Sequence, residues 1–386
     1  MSVTLNERPV FVIGSERSGT TLVMAILGCH PRIAVPEVTW YYPRFRPYLH
    51  TYGDLSDSNN FRILAFEMAH GLRMPYWQMD VEPNLFANNI ADRALEIEQS
   101  YAGIFAAMFE GYSKYENKPR WGEKTPYNIF FLDQILEDFP NAQFVYIYRD
   151  GRDASAEFLD SAFGPTNIYS AARIWKDGQE AALDFRKKLT DDQWFNIKYE
   201  ELVLEPVDHL QRLCTFLGEE YTSDLMAFHT TPTAKRRGAT KDNWALAHPI
   251  TDRHVGLYQE QLSLRDQKIM SWVAGDMLRE LDYGNVLVPL ILSAEEIELA
   301  IEMDGRYRAA ELDSPGGWIV FESYNDGLVD TRNARRDAGI WSAHPDPVPF
   351  PIGHEYEEYY SGLRAVRKWK DHFSIKRDQS GSKSVL

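Results

Sequence analysis

A chain of 386 residues is long enough for one large α/β domain with additions, or for two domains of roughly 150 residues each. Its 41 Lys and Arg against 57 Asp and Glu leave a formal net charge of −16, which argues against duplex nucleic acid or an anionic membrane surface as the main partner and obliges any polyanion to find a local basic pocket. The only two cysteines, Cys29 and Cys214, exclude a disulfide framework and fit a reducing compartment.

The first residues, MSVTLNERPVFVIG, lack the charged start, apolar stretch and small-residue cleavage site of a secretion signal. No apolar run reaches the ~18 residues of a membrane span. The expectation is a soluble, cytoplasmic protein. Residues 9–13 (PVFVI) form a short apolar, β-rich run ending in Gly14, as expected of a strand buried on both faces of a parallel sheet. A helix is predicted over 18–29, stopping before Pro31. Residues 40–118 show no strand pattern but a helical one over 91–112, which predicts a helical insertion. Ile129, Leu132, Ile135, Leu136 and Phe139 then fall at helical spacing, and residues 144–148 (FVYIY) read as a second buried strand followed by a helix from Gly151. Residues 194–198 read as a third strand, followed by the amphipathic stripe Val207, Leu210, Leu213, Cys214 and Leu217. Residues 228–260, rich in Thr, Pro, Gly and basic side chains, predict a long functional loop. A last core helix is predicted over 264–281. The alternation of strands and helices defines the α/β class: a central parallel sheet flanked by helices over 1–285, with 286–386 as a C-terminal extension ending in a frayed tail.

The segment Gly14-Ser15-Glu16-Arg17-Ser18-Gly19-Thr20-Thr21 lies between the first strand and a helix. Its glycines have the spacing of a phosphate-binding loop, but Thr20 stands where that loop carries its lysine. Backbone N–H groups and the helix N-terminus would face an anion there, with Ser18, Thr20 and Thr21 as hydroxyl donors and Arg17 as the replacement charge. Loss of the lysine weakens a nucleoside-triphosphate kinase reading, because that residue normally bridges the β- and γ-phosphates.

PVFVIGSERSGTTL, followed by His30-Pro31, WGEKTP at 121–126, FVYIYRDGRD at 144–153 and YEEL at 199–202, resembles the sulfotransferases that use 3′-phosphoadenosine 5′-phosphosulfate (PAPS), in family order over about 9–280. The Arg-Ser-Gly-Thr-Thr run is closer to the tyrosylprotein and bacterial branches than to the cytosolic aryl branch. The resemblance implies a P-loop-type sulfotransferase fold in which residues 15–21 hold the 5′-phosphosulfate: Ser15, Arg17, Ser18, Gly19, Thr20 and Thr21. It implies that Arg149 holds the 3′-phosphate together with a serine of the following helix. The family places that serine eight residues after the arginine. This chain has Glu157 there, and Ser155, two positions earlier and rotated by about 200° on a helix, is the remaining candidate. By the same resemblance Tyr199 flanks the adenine, and the basic run with Arg236, Arg237 and Gly238 closes over the 3′-phosphate. Glu37 is implied as the base and Lys124 as the cation on the bridging oxygen, with Arg17 beside it. His30 is the rival base, better placed to cap the preceding helix.

Sulfuryl transfer needs a base for the acceptor proton, cations over the leaving oxygens, and alignment. No metal is expected, since the 10 histidines show no ligand spacing. The implied donor is PAPS and the implied co-product adenosine 3′,5′-bisphosphate. The acceptor expected is the hydroxyl or amine of a small molecule, aromatic or cationic in preference to a sulfated polysaccharide, which a −16 surface would repel, with sugars, lipids and peptidyl tyrosine open as well. A P-loop kinase of a small molecule and a non-catalytic nucleotide-binding protein are the competing readings.

Overall fold

The structure is a computed structural model that describes residues 8–70, 77, 79–81, 83–161, 164–312, 320–339 and 341. Five parallel strands, β1 (Val10–Ile13), β2 (Ile33–Ala34), β3 (Arg120–Lys124), β4 (Gln143–Tyr148) and β5 (Trp194–Lys198), form one sheet in the order β2-β3-β1-β4-β5. β1 lies between β3 and β4, with Val10 facing Gly122 on one side and Gln143 on the other. This central place explains its uninterrupted apolar run. Successive side chains point to opposite faces, so Phe11 and Ile13 join Phe144 and Tyr146 in one core, while Val10 and Val12 join Val145 and Ile147 in another.

The first core is aromatic. Phe105, on helix Tyr101–Tyr115, stacks on Phe109 at 4.5 Å and reaches Phe11 at 6.2 Å. The second is aliphatic and is closed by α1 (Thr20–Leu27) and by helix Pro206–Leu217, whose buried Leu210, Leu213, Cys214 and Leu217 are the stripe read in the sequence. Each such side chain contributes about 1.5–3 kcal/mol by leaving water.

The predicted strands over 9–13, 144–148 and 194–198 are present within a residue or two. β3 is not among the expectations, because its sequence RWGEK carries three charged residues and hides a buried strand behind a polar pattern. The helical insertion holds Ser58–His70, Pro83–Ile97 and Tyr101–Tyr115. The pattern over 91–112 is two helices, interrupted where the Ser100 side chain accepts from the Gly103 N–H at 3.1 Å and caps the second. Residues 228–260 are not one long loop. Pro232–Gly238 is a helix capped by Thr231, and Lys241–Ala247 forms 3₁₀ turns. Helix Leu264–Glu280 matches its prediction.

Beyond it, helices Ala294–Leu312 and Val320–Asp337 pack back on the rest of the chain. Asp304 accepts from the Thr166 N–H at 2.7 Å and from Asn167. Arg332, buried, binds Glu67 Oε2 at 2.6 Å and the Tyr52 hydroxyl at 2.7 Å. Glu67 keeps the Tyr52 hydroxyl at 2.6 Å and Arg335 at 3.8 Å, so Arg332→Ala is expected to lower stability to chemical denaturation by about 1.5–3 kcal/mol, the loss of a charged hydrogen bond. A loss below about 1 kcal/mol, the level of a surface pair, would show that this contact does not dock the helix. The Pro-rich stretch 345–351 and the tail read as frayed lie outside the described residues. Among the described residues no helix is long and apolar enough to cross a membrane.

Candidate active site

β1 runs directly into the loop 14–19, and α1 starts at Thr20. The chain turns through two left-handed residues, Arg17 (φ 64°) and Gly19 (φ 102°). Glycine takes this conformation at no steric cost, and a Cβ at Gly19 would stand 2.8 Å from Tyr199 Cδ2. Arg17 is held in its unfavourable conformation by Arg149, whose Nη1 donates to the Arg17 carbonyl at 3.1 Å. A side chain on Gly14 would strike the Ile147 carbonyl at 2.3 Å. The loop therefore lies flat against β4.

Of the loop hydroxyls, Ser18 Oγ is fully buried and makes no hydrogen bond. A buried hydroxyl without a partner is costly unless a ligand completes it. Ser15 is turned the other way, accepting from Gln179 Nε2 at 2.5 Å and donating to the Trp175 carbonyl at 3.4 Å. Thr21 Oγ1 accepts from Lys124 Nζ at 3.3 Å, which places the lysine, at the end of β3, over the start of α1. Lys124 is 2% exposed. Burial and then Arg237 bring its pKa down to about 8, against the opposite pull of Glu16, Glu37 and Glu123. Burial pushes the Glu16 carboxyl up to about 7, even with Lys124 and Arg17 near it.

Glu37 is buried within the same cluster. Arg236 Nη2 donates to its Oε1 at 2.6 Å, and Arg237 Nε lies 3.3 Å from its Oε2. The resemblance has these arginines close over a 3′-phosphate; here their run is helical, and both face Glu37, the carboxylate proposed as the base. Gly238 serves packing, since a Cβ there would lie 2.4 Å from Ala247 Cβ. His30 is structural, its Nδ1 accepting from the Arg32 N–H at 3.1 Å and its Nε2 donating to the Glu220 carbonyl at 3.0 Å.

Arg149, at the end of β4, is 2% exposed. It lies over the Tyr199 ring at 4.6 Å, donates to the His254 carbonyl at 2.5 Å, and pairs with Glu157 Oε1 at 3.0 Å. Ser155 does not join it. Its hydroxyl points to Met270 Sδ at 3.8 Å, on the opposite side of helix Gly151–Asp160, as a two-residue offset requires. Glu157 is the residue that faces the arginine. Glu16 and His254 were missed as members of the site. An acidic residue inside an anion-binding loop was the available signal for the first, and nothing local marked the second.

Around one loop the fold thus gathers Arg17, Lys124, Arg149, Arg236 and Arg237 among the carboxylates Glu16, Glu37, Glu123, Asp153 and Glu157, a concentration of cations inside a chain of net −16. Arginines and a lysine brought together at a Gly-rich turn are the groups that bind phosphate and sulfate esters in general. The comparison with known proteins agrees. A profile described as the sulfotransferase family matches residues 9–223, more than half of the chain, and the chain belongs to that family. It is 24% identical to a protein-tyrosine sulfotransferase of Drosophila melanogaster over 70% of this chain and 49% of that protein, so it spans about half that relative's length. It is 23% identical to the omega-hydroxy-beta-dihydromenaquinone-9 sulfotransferase of Mycobacterium bovis, over 64% of this chain and 74% of the other. Among solved structures it resembles the sulfotransferase domain of the Synechococcus PCC 7002 olefin synthase, with 17% identity and a TM-score of 0.48 over 78% of this chain and 96% of that one.

Proposed function

We propose that the protein transfers a sulfuryl group from PAPS to a hydroxyl of a small-molecule acceptor. The observation that carries this reading is the buried Lys124 reaching Thr21 at the mouth of a lysine-free phosphate loop, with the carboxylates Glu16 and Glu37 in the same electrostatic cluster. The loop from Ser15 to Thr21 would hold the 5′ end of the donor, and the unpartnered Ser18 hydroxyl fits that role. Tyr199, packed under Gly19, would border the base. When bound, the donor would supply a sulfuryl group attached to a phosphate leaving group. Lys124 and Arg17 would neutralise negative charge at that end of the site. Glu37 would accept the proton of the acceptor hydroxyl.

Immediately after Lys124 and Thr125, the turn Pro126–Phe130 presents an aromatic shelf. Tyr127 packs against Trp40 at 5.7 Å and against Phe130 at 5.2 Å, while Tyr127 and Phe130 stay 43% and 40% exposed. Exposed rings on the turn that follows the Lys124 strand favour an aromatic acceptor. The name of the fly relative points to the tyrosine side chain of a protein as the second candidate. The test is a transfer assay with PAPS and no magnesium, read by mass spectrometry, against small phenols, cationic phenols and tyrosine peptides. Product from the phenols supports the proposal, product from the peptides alone moves the acceptor to protein, and turnover that requires Mg-ATP instead would overturn it in favour of a kinase.

A further inference from the structure

Two arginines and a histidine converge on one carboxylate next to the phosphate loop. Arg149 Nη2 lies 3.0 Å from Glu157 Oε1, His254 Nδ1 lies 3.0 Å from the same oxygen, and Arg17 Nη2 lies 3.1 Å from Oε2. The side chains of Arg149 and Glu157 are 3% and 15% exposed, so the pairing is inside the protein. An arginine in a loop and an arginine at a strand end, aimed at one point beside a Gly-rich turn, make an anion subsite. Here the chain fills that subsite itself. The helix that follows β4 supplies the anion eight residues after Arg149, and nearby Asp153 adds a second carboxylate that already accepts from the N–H groups of Gly256 and Tyr258.

We propose that Glu157 stands in for the donor's 3′-phosphate, so that the protein recognises its donor by the 5′ end and takes adenosine 5′-phosphosulfate as readily as the 3′-phosphorylated form. The inference rests on the donor reading above. A phosphate dianion brought against a buried carboxylate gains the arginines only by repelling or displacing the charge that already holds them. Protonation does not remove the obstacle. Burial alone would raise the Glu157 carboxyl, but Arg149, the His254 hydrogen bond and Arg17 outweigh it and hold the group well below the usual carboxylate range. The same arrangement ties Arg17 to the subsite, so the loop arginine and Glu157 act as one unit.

The experiment is isothermal titration of the full-length chain, without magnesium, with adenosine 5′-phosphate and with adenosine 3′,5′-bisphosphate. The wild-type protein is expected to bind the two within about threefold. In Glu157→Ser the arginines are released, and the bisphosphate should bind at least about tenfold more tightly while the 5′-phosphate is little changed, as charge-assisted phosphate contacts predict. Removing Glu157 should also lower the melting temperature, and the bisphosphate should restore it more than the 5′-phosphate does. Glu157→Gln keeps the shape and serves if the serine variant does not fold. The inference is overturned if the wild type already prefers the bisphosphate by about tenfold, or if folded Glu157 variants leave the ratio of the two affinities where it was. Either result leaves sulfuryl transfer standing. Failure of wild type and variants to bind either nucleotide overturns the donor reading and the inference together.

Discussion

Lys124→Ala is expected to lower the maximal rate of sulfuryl transfer by about 10²–10³-fold while changing affinity for adenosine 3′,5′-bisphosphate by only a few-fold. A buried cation beside the loop acts most strongly where charge develops during the reaction, and less on a product in which that charge is already settled on the phosphate. A variant with weaker binding but a normal maximal rate would contradict this role. The lysine also imposes a pH dependence. Burial and Arg237 bring it down to about 8, so its cationic fraction falls as pH rises through that value, and activity that needs the charge should decline on the alkaline side. Lys124→Arg keeps its charge over this range and should carry the alkaline limb upward, whereas an unmoved limb would assign it to another group. The stability sign runs the other way. A lysine whose folded pKa lies below its ordinary value contributes stability that is present above about 10.4 and is lost as pH falls toward 8, so the folded protein bears a cost at neutral pH for holding this cation ready.

Glu37→Gln is expected to slow transfer by about 10²–10⁴-fold, with product binding nearly intact, because the amide keeps the shape and loses the basicity. The effect should shrink for acceptors with more acidic hydroxyls, which need less help in losing a proton. The structure adds a condition. Glu37 is gripped by Arg236 at 2.6 Å and faced by Arg237 at 3.3 Å, so one of these arginines has to turn away before an acceptor hydroxyl can reach the carboxylate. Replacing either arginine should therefore change the rate of transfer. Near-normal turnover of Glu37→Gln, together with loss of turnover in Glu16→Gln, would move the proton to the loop carboxylate that burial already holds near neutrality.

The strand-loop-helix unit at the start of the chain was legible because all of its determinants are local. An apolar run buried on both faces, two glycines at fixed spacing and a hydroxyl pair at a helix N-terminus are neighbours in sequence, and they stay neighbours in space. The stripe of helix Pro206–Leu217 and the end of helix Leu264–Glu280 were readable for the same reason, through periodicity and stop signals. β3 was hidden because its charged residues are satisfied by the fold: Lys124 by Thr21, Glu123 by Thr125 and Asn128, and Arg120 by the Leu217 carbonyl.

What the sequence determined by itself was an α/β chain with an anion loop that lacks its lysine and carries Arg17 in its place, while Lys124 and Arg149 were marked by the family resemblance. Which cation meets which carboxylate was decided by tertiary structure alone. Arg236 reaches Glu37 across 199 positions, Arg17 reaches Glu157 across 140, and His254 reaches Glu157 across 97. No local pattern encodes such pairings, because charge is satisfied by distance in space, and a buried arginine takes whichever carboxylate the packing of strands and helices places within 3 Å or so.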